Sequence, residues 1–97
     1  MGATKTEQYT SELIRIAKIA DALGHPARLS IAKLLMDRNV IRPTDLSKLL
    51  KLHKTSVNSH LRKMRDAKLI DYSFRPTEYV ILINDKTLKD FNHFIDA

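Results

Sequence analysis

The chain predicts a mainly α, α+β domain in which four helices, a two-stranded β-hairpin and a last helix follow one another. Three observations carry this. Apolar residues recur at helical spacing up to about Ala67. After Leu69 the period changes from 3.6 to 2, on either side of Arg75-Pro76-Thr77. A helical pattern then returns near Asp85. With 97 residues and 43% hydrophobic content, residues 1–97 make one small domain with a modest core.

Taken in order, residues 1–5 are expected to be a disordered tail. From Thr6 to Leu23 a helix places Tyr9, Leu13, Ile16, Ala17 and Ala20 on one stripe, with Ile14 and Ile19 off it. Apolar residues cover more than half its circumference, so a second protomer could cover the surplus. Gly24 caps this helix, and His25-Pro26 restarts the chain with proline at a first helical position. A second helix to about Met36 buries Leu29, Ala32 and Leu35, and 37–39 form a turn. Thr44 caps a short helix to about Leu50, with Leu46, Leu49 and Leu50 inward. Leu52 and His53 lead tightly into a helix over 54–67. Lys68 stands where a glycine cap is expected. The runs 70–74 and 78–83 form the hairpin, with Pro76 suited to position i+1 of its turn. Residues 79–83 are apolar on both faces, so that strand must be covered. The last helix sets Leu88, Phe91, Phe94 and Ile95 on one side, but is too short to stand without tertiary support.

Composition narrows the function classes. There is no cysteine, which removes disulfides, thiolate metal sites and thiol redox sensing. No run approaches the roughly 20 apolar residues of a membrane span, and no signal-peptide block opens the chain. A cytoplasmic protein with no membrane partner is the expectation. Between Arg42 and Arg75, nine cations against three anions carry the whole formal excess of +6. Charge so concentrated favours a polyanionic partner over a merely solvated face.

The helix over 54–67 lies within that basic stretch. Val57, Leu61 and Met64 recur at i, i+4 and i+7 and form its apolar face. Thr55, Asn58, Ser59 and Arg62 form a second stripe of short hydrogen-bonding groups around a cation. Such side chains suit a surface that lies against base edges and phosphates, and make double-stranded DNA the expected partner. Asn58 is suited to an adenine edge, and Arg62 to a guanine or, since it lies later in the helix, rather to a phosphate. Thr55 and Ser56 sit near a helix N-terminus, where backbone N–H groups attract phosphate. Lys48, Lys51 and Lys54 add sequence-independent attraction. Arg75 and Thr77, at the hairpin tip, are candidate backbone or minor-groove contacts. His60, between Val57 and Met64, reads as a partly buried structural histidine, and His25 as structural too. Two short helices joined tightly, the second polar outside, then a hairpin, make a winged helix-turn-helix.

These residues resemble the ArsR/SmtB group of dimeric repressors. The likeness runs from Ile19 to Asp85 and rests on four segments: Ala22-Leu-Gly-His-Pro-Ala-Arg-Leu29, Asp45-Leu-Ser-Lys-Leu-Leu50, Thr55-Ser-Val-Asn-Ser-His-Leu-Arg62 and Arg65-Asp-Ala-Lys-Leu-Ile70. The resemblance implies a homodimer joined by the first and last helices, which assigns Leu13, Ile16, Ile19, Leu88, Phe91, Phe94 and Ile95 to the interface. It also implies operator binding by 54–62 in the major groove, with the wing around Arg75 near the backbone or minor groove. Metal-sensing members carry a cysteine pair where this chain has Arg42 and Thr44, neither a soft-metal ligand. Other members hold zinc through carboxylates and histidines of the last helices; here only Asp90, His93 and Asp96 are available. No metal or cofactor is therefore expected, and no small-molecule effector is indicated. A pocket between the first and last helices remains an open place for one.

No Gly-rich phosphate loop, metal-spaced histidine cluster or activated nucleophile supports an enzyme; His25, Ser30 and Asp21 are a chance trio. The expected function is a sequence-specific transcriptional repressor. The rivals are a winged-helix protein-interaction or antitoxin-like adaptor, and a DNA-bound regulator controlled only by its abundance.

Overall fold

Residues 8–97 are described by a computed structural model, and the expected tail at 1–5 lies outside them. Thr10 accepts a hydrogen bond from Leu13 N–H through its hydroxyl and starts α1, Ser11–Leu23, several residues later than the sequence pattern predicts. That cap satisfies one of the orphan donors at the helix start. Gly24 ends α1, but with φ −79°, so its freedom to adopt positive φ is not used. His25 then caps α2, Pro26–Arg38: its Nδ1 accepts from Ala27 N–H at 3.0 Å, and Pro26 holds the first helical position.

Asn39, with φ 68°, turns the chain into β1, Val40–Ile41. Next come α3, Pro43–Leu50, and α4, Lys54–Asp66. Strands β2, Ile70–Phe74, and β3, Tyr79–Ile83, form the wing, and α5, Asp85–Asp96, closes the chain under an Asn84 cap. The sheet is antiparallel with order β1-β3-β2, pairing Ile41 with Ile81 and Tyr72 with Ile81 across the two ladders. The described residues thus form a winged helix-turn-helix of five helices and a three-stranded sheet. One core unites it: Ile19, Ile31, Leu35, Leu46, Leu61, Met64, Leu69 and Ile81 are all fully buried. Such packing anchors α4 from beneath by three side chains, Val57, Leu61 and Met64.

Several expectations are corrected. The sheet has a third strand: β1 pairs with the edge of β3 that β2 leaves open, which gives backbone N–H and C=O groups there a partner. In α1 the core is met by Ile16, Ile19 and Ala22, whereas Tyr9 and Leu13 are about half exposed. Ile19, which lies off the stripe of Tyr9, Leu13, Ile16, Ala17 and Ala20, is fully buried, and of that stripe only Ile16 is buried with it. Leu29 is 54% exposed while Ile31 is buried. Steps of three residues fall about 60° short of a full turn, so Leu29 lies about 120° round the helix from Leu35, while Ala32 and Leu35 are both buried as expected. Leu49 is likewise exposed while Leu46 is buried. α2 runs two residues past Met36, taking in Asp37 and Arg38. Thr44 lies inside the first turn of α3; Arg42 holds the cap position and makes no side-chain cap bond. The wing is closed by Arg75 N–H donating to Glu78 C=O at 2.7 Å, around a bend at Pro76-Thr77.

Candidate nucleic-acid interface

The α3–α4 connection sets the pose of the candidate recognition helix. α3 ends with Lys51 in the left-handed region, φ 54°, and Leu52 N–H bonds back to Ser47 C=O. His53 follows as the cap of α4, its Nδ1 accepting from the Thr55 hydroxyl at 3.1 Å and, more weakly, from Thr55 N–H. The Thr55 hydroxyl thus already has a partner within the protein. At the other end, Lys68 stands at φ 61°, Leu69 N–H reaches Met64 C=O and Lys68 N–H reaches Arg65 C=O. That is the Schellman arrangement, completed by burial of Leu69 and Met64 together. Both ends of α4 are therefore flanked by lysines in a conformation that glycine adopts more cheaply.

Between these ends the polar stripe faces outward. Lys54, Thr55, Ser56, Asn58, Ser59 and Arg62 are all exposed, as are Arg75 and Thr77 on the wing. The structure brings the two sets together across a groove of about 670 Å³, where Lys48, Lys54 and Asn58 face Thr77 and Tyr79. Asn58 also borders a smaller recess of about 270 Å³ with Arg62, Arg65, Tyr72 and Tyr79. It therefore occupies the ridge between two concavities. Arg62 lies in the recess, and Arg75 lines neither.

Electrostatic contacts sort the cations. Lys63 bonds Asp21 at 2.7 Å, ties α4 to α1 and holds the Asp21 carboxyl below its ordinary value. Arg42 bridges Asp45 at 3.1 Å and Glu78 at 3.6 Å, linking α3 to the wing. Asp45 foremost, then Glu78, raises its guanidinium still further. Arg65 lies over the Tyr72 ring at 4.8 Å, and burial chiefly keeps the Tyr72 phenol neutral by raising its pKa. By contrast, no ion pair engages Lys54, Arg62 or Arg75 among the described residues. They remain available to an external anion.

Behind the interface, His60 is half-buried and packs against His25, with ring centroids 4.5 Å apart and the planes tilted by 53°. Arg28 donates to its Nδ1 at 3.3 Å and to Ala22 C=O at 2.6 Å, so the α1–α2 turn rests on α4 through this cluster. Burial first, then His25 and Arg28, lowers the His60 pKa below its ordinary 6.5.

Sequence reasoning did not single out Tyr79, Arg65 or Phe74. Tyr79 reads as one member of an apolar run, and only the β2–β3 register turns it towards α4. Of the interface residues that the resemblance implies, Ile16 and Ile19 are buried in this protomer's own core. Leu88, Phe91 and Phe94 are half-buried, and Leu13 and Ile95 are exposed at 42% and 61%. Asp90 accepts from Arg15 at 3.5 Å, while His93 and Asp96 are exposed. Arg42 and Thr44 are unsuited to the cysteine metal site of the metal sensors. No group of three or more His, Asp or Glu among the described residues is placed to hold a metal.

A family model described as bacterial regulatory protein, arsR family, matches residues 25–72, from the start of α2 to the middle of β2. No curated protein matches the chain. Among solved structures, the transcriptional repressor PagR of Bacillus anthracis is 28% identical, with TM-score 0.71 over 84% of this chain and 94% of that one. An ArsR-like transcriptional regulator from Rhodococcus is 16% identical, with TM-score 0.82 over 90% and 81%. A homodimeric winged helix-turn-helix DNA-binding domain from Mycobacterium bovis, described as a possible ArsR-family regulator, is 17% identical, with TM-score 0.76 over 96% and 84%. A match that spans the helix-turn-helix and enters the wing, on this architecture, means that the chain belongs to the arsR family of bacterial regulatory proteins, DNA-binding transcription regulators rather than enzymes.

Proposed function

We propose that the protein is a homodimeric repressor that recognises a near-palindromic operator without metal. The observation that carries this is the stripe Thr55, Asn58, Ser59 and Arg62, solvent-facing above the buried anchors Val57, Leu61 and Met64. In this reading α4 enters the major groove, Asn58 pairs with an adenine edge, and Ser59 approaches neighbouring bases. Lys54, Ser56 and Arg62 engage phosphates, with Arg75 and Thr77 on the flanking backbone, while Thr55, its hydroxyl proton given to His53, borders the contact without donating to a phosphate. The dimer joins α1 and α5 of two protomers through Leu13, Leu88, Phe91, Phe94 and Ile95. The homodimeric Mycobacterium bovis domain and the PagR repressor support both parts by likeness.

Two α4 helices related by a two-fold axis would enter successive major grooves about 34 Å apart. Selection of bound duplexes from a random pool tests the proposal. An enriched inverted repeat with half-sites one helical turn apart is the expected result. Failure to enrich any duplex, at low as well as moderate salt, would overturn it and favour a protein-binding adaptor.

A further inference from the structure

The most exposed large apolar side chain among the described residues is Phe74, at 78%, and it stands at the end of β2 beside the wing tip. Its cross-strand partner is Tyr79, whose ring lies 5.9 Å away, and Tyr79 in turn meets Tyr72 at 5.3 Å. Phe74 and Tyr72 are two apart on one strand and so share a face. Tyr72 and Tyr79 border the recess with Asn58 and Arg62, so this face is the one turned to α4. The three rings form a row that starts under the Arg65 guanidinium and ends free in solvent at Phe74. Exposure increases along it: Tyr72 and Tyr79 are half-buried, and Phe74 projects beyond them. Arg62 and Arg65 border the row at its Tyr72 end. Of the nearby carboxylates, Glu78 is held by Arg42, which leaves Asp66 in the recess. A row of flat rings that begins beside two guanidinium groups and ends in a free apolar one, continuous with the candidate interface, fits the sugar and base faces of a polyanion better than an acidic protein surface.

We propose that Phe74 is a wedge: with α4 in the major groove, its ring enters the adjacent minor groove and presses between two base pairs. This rests on the DNA-binding reading above and adds to it a source of specificity that makes no hydrogen bond. A wedge has to unstack a step, and pyrimidine–purine steps such as TA unstack most cheaply, whereas A-tracts resist. The operator therefore carries a flexible step at a fixed distance outside each half-site, although no polar side chain reads it. Tyr79, itself packed on Tyr72, supports the ring from behind, so it meets the step without collapsing onto the wing.

The test titrates the selected operator and a version with the flanking step changed to A-tract, each at two salt concentrations. Wild type, Phe74→Ala and Phe74→Leu are compared. Phe74→Ala is expected to weaken binding to the selected operator about tenfold, the scale of one aromatic–base contact. Its dependence on salt stays that of wild type, since no phosphate contact is lost. Phe74→Leu retains most of the affinity, because leucine also serves as a wedge. The A-tract duplex weakens wild type but makes little further difference to Phe74→Ala. Equal affinity of Phe74→Ala and wild type overturns the proposal while leaving DNA binding intact. So does an A-tract penalty that is the same in both proteins. A change in sedimentation of Phe74→Ala without DNA would assign the ring to a protein contact instead, and wild type binding no duplex would sink the DNA reading itself.

Discussion

Asn58 and Arg62 lie on one exposed face four residues apart, yet their chemistries predict different failures. A carboxamide can donate to and accept from an adenine edge, so Asn58→Ala is expected to lower discrimination between operator and random duplex by about 1–3 kcal/mol. Arg62→Ala and Lys54→Ala should weaken both duplexes alike and reduce the salt slope by about one each. Competition titrations at several salt concentrations separate the two patterns. Equal losses on both duplexes from Asn58→Ala would contradict base reading. Beneath that face, Leu61 is fully buried, and Leu61→Ala is expected to cost about 2–5 kcal/mol of stability, seen as a lower urea midpoint. The residue types themselves were readable from the sequence, as was the outward direction of this stripe. Leu29 and Leu49 were not, because a leucine at a plausible spacing says nothing about which neighbour stands opposite it.

The elements carry two further expectations. Lys68 sits at φ 61° in the cap after α4, a conformation that costs a residue with a Cβ about 1 kcal/mol. Lys68→Gly should therefore raise unfolding stability by about 0.5–1 kcal/mol, less any entropy that glycine returns to the unfolded chain. The position was legible as a missing glycine cap, since helix ends follow local rules. The second expectation concerns the joint between the α1–α2 turn and α4. His60 titrates below its ordinary 6.5, so the unfolded chain takes up its proton first as pH falls. Its contribution is full above the unfolded value and is lost as pH drops from about 6.5 towards the lowered folded value. Urea unfolding at pH 7.5 and 5.5 should show a smaller loss for His60→Gln, whose amide oxygen still accepts from Arg28, than for wild type. An identical loss in both would remove His60 from the account. Strand β1 had no signal of its own, because two residues are too few for a period and its partner lies some forty residues further along.

For the molecule as a whole, the decisive surface is the apolar one left uncovered. Tyr9, Leu13, Ile14 and Ile95 remain 41–61% exposed after one protomer has folded. Leu13→Glu or Ile95→Glu should leave the monomer fold intact, shift sedimentation from dimer to monomer, and lower operator affinity, since half-sites then bind independently. A dimer that persists in both variants would move the interface elsewhere. What the sequence alone determined was whatever depends on near neighbours: the helical and strand periods, the caps, the basic middle third and the polar stripe of α4. Those are set within a few residues by hydrogen-bond geometry and side-chain spacing, so they can be read in one dimension. Only the tertiary structure decided which of α1's two apolar stripes enters the core. The same holds for the third strand, for Arg42 tying α3 to the wing, and for Tyr72, Tyr79 and Phe74 aligning beside α4. Each depends on segments brought together from distant parts of the chain, and packing among them selects one arrangement from several that local pattern permits.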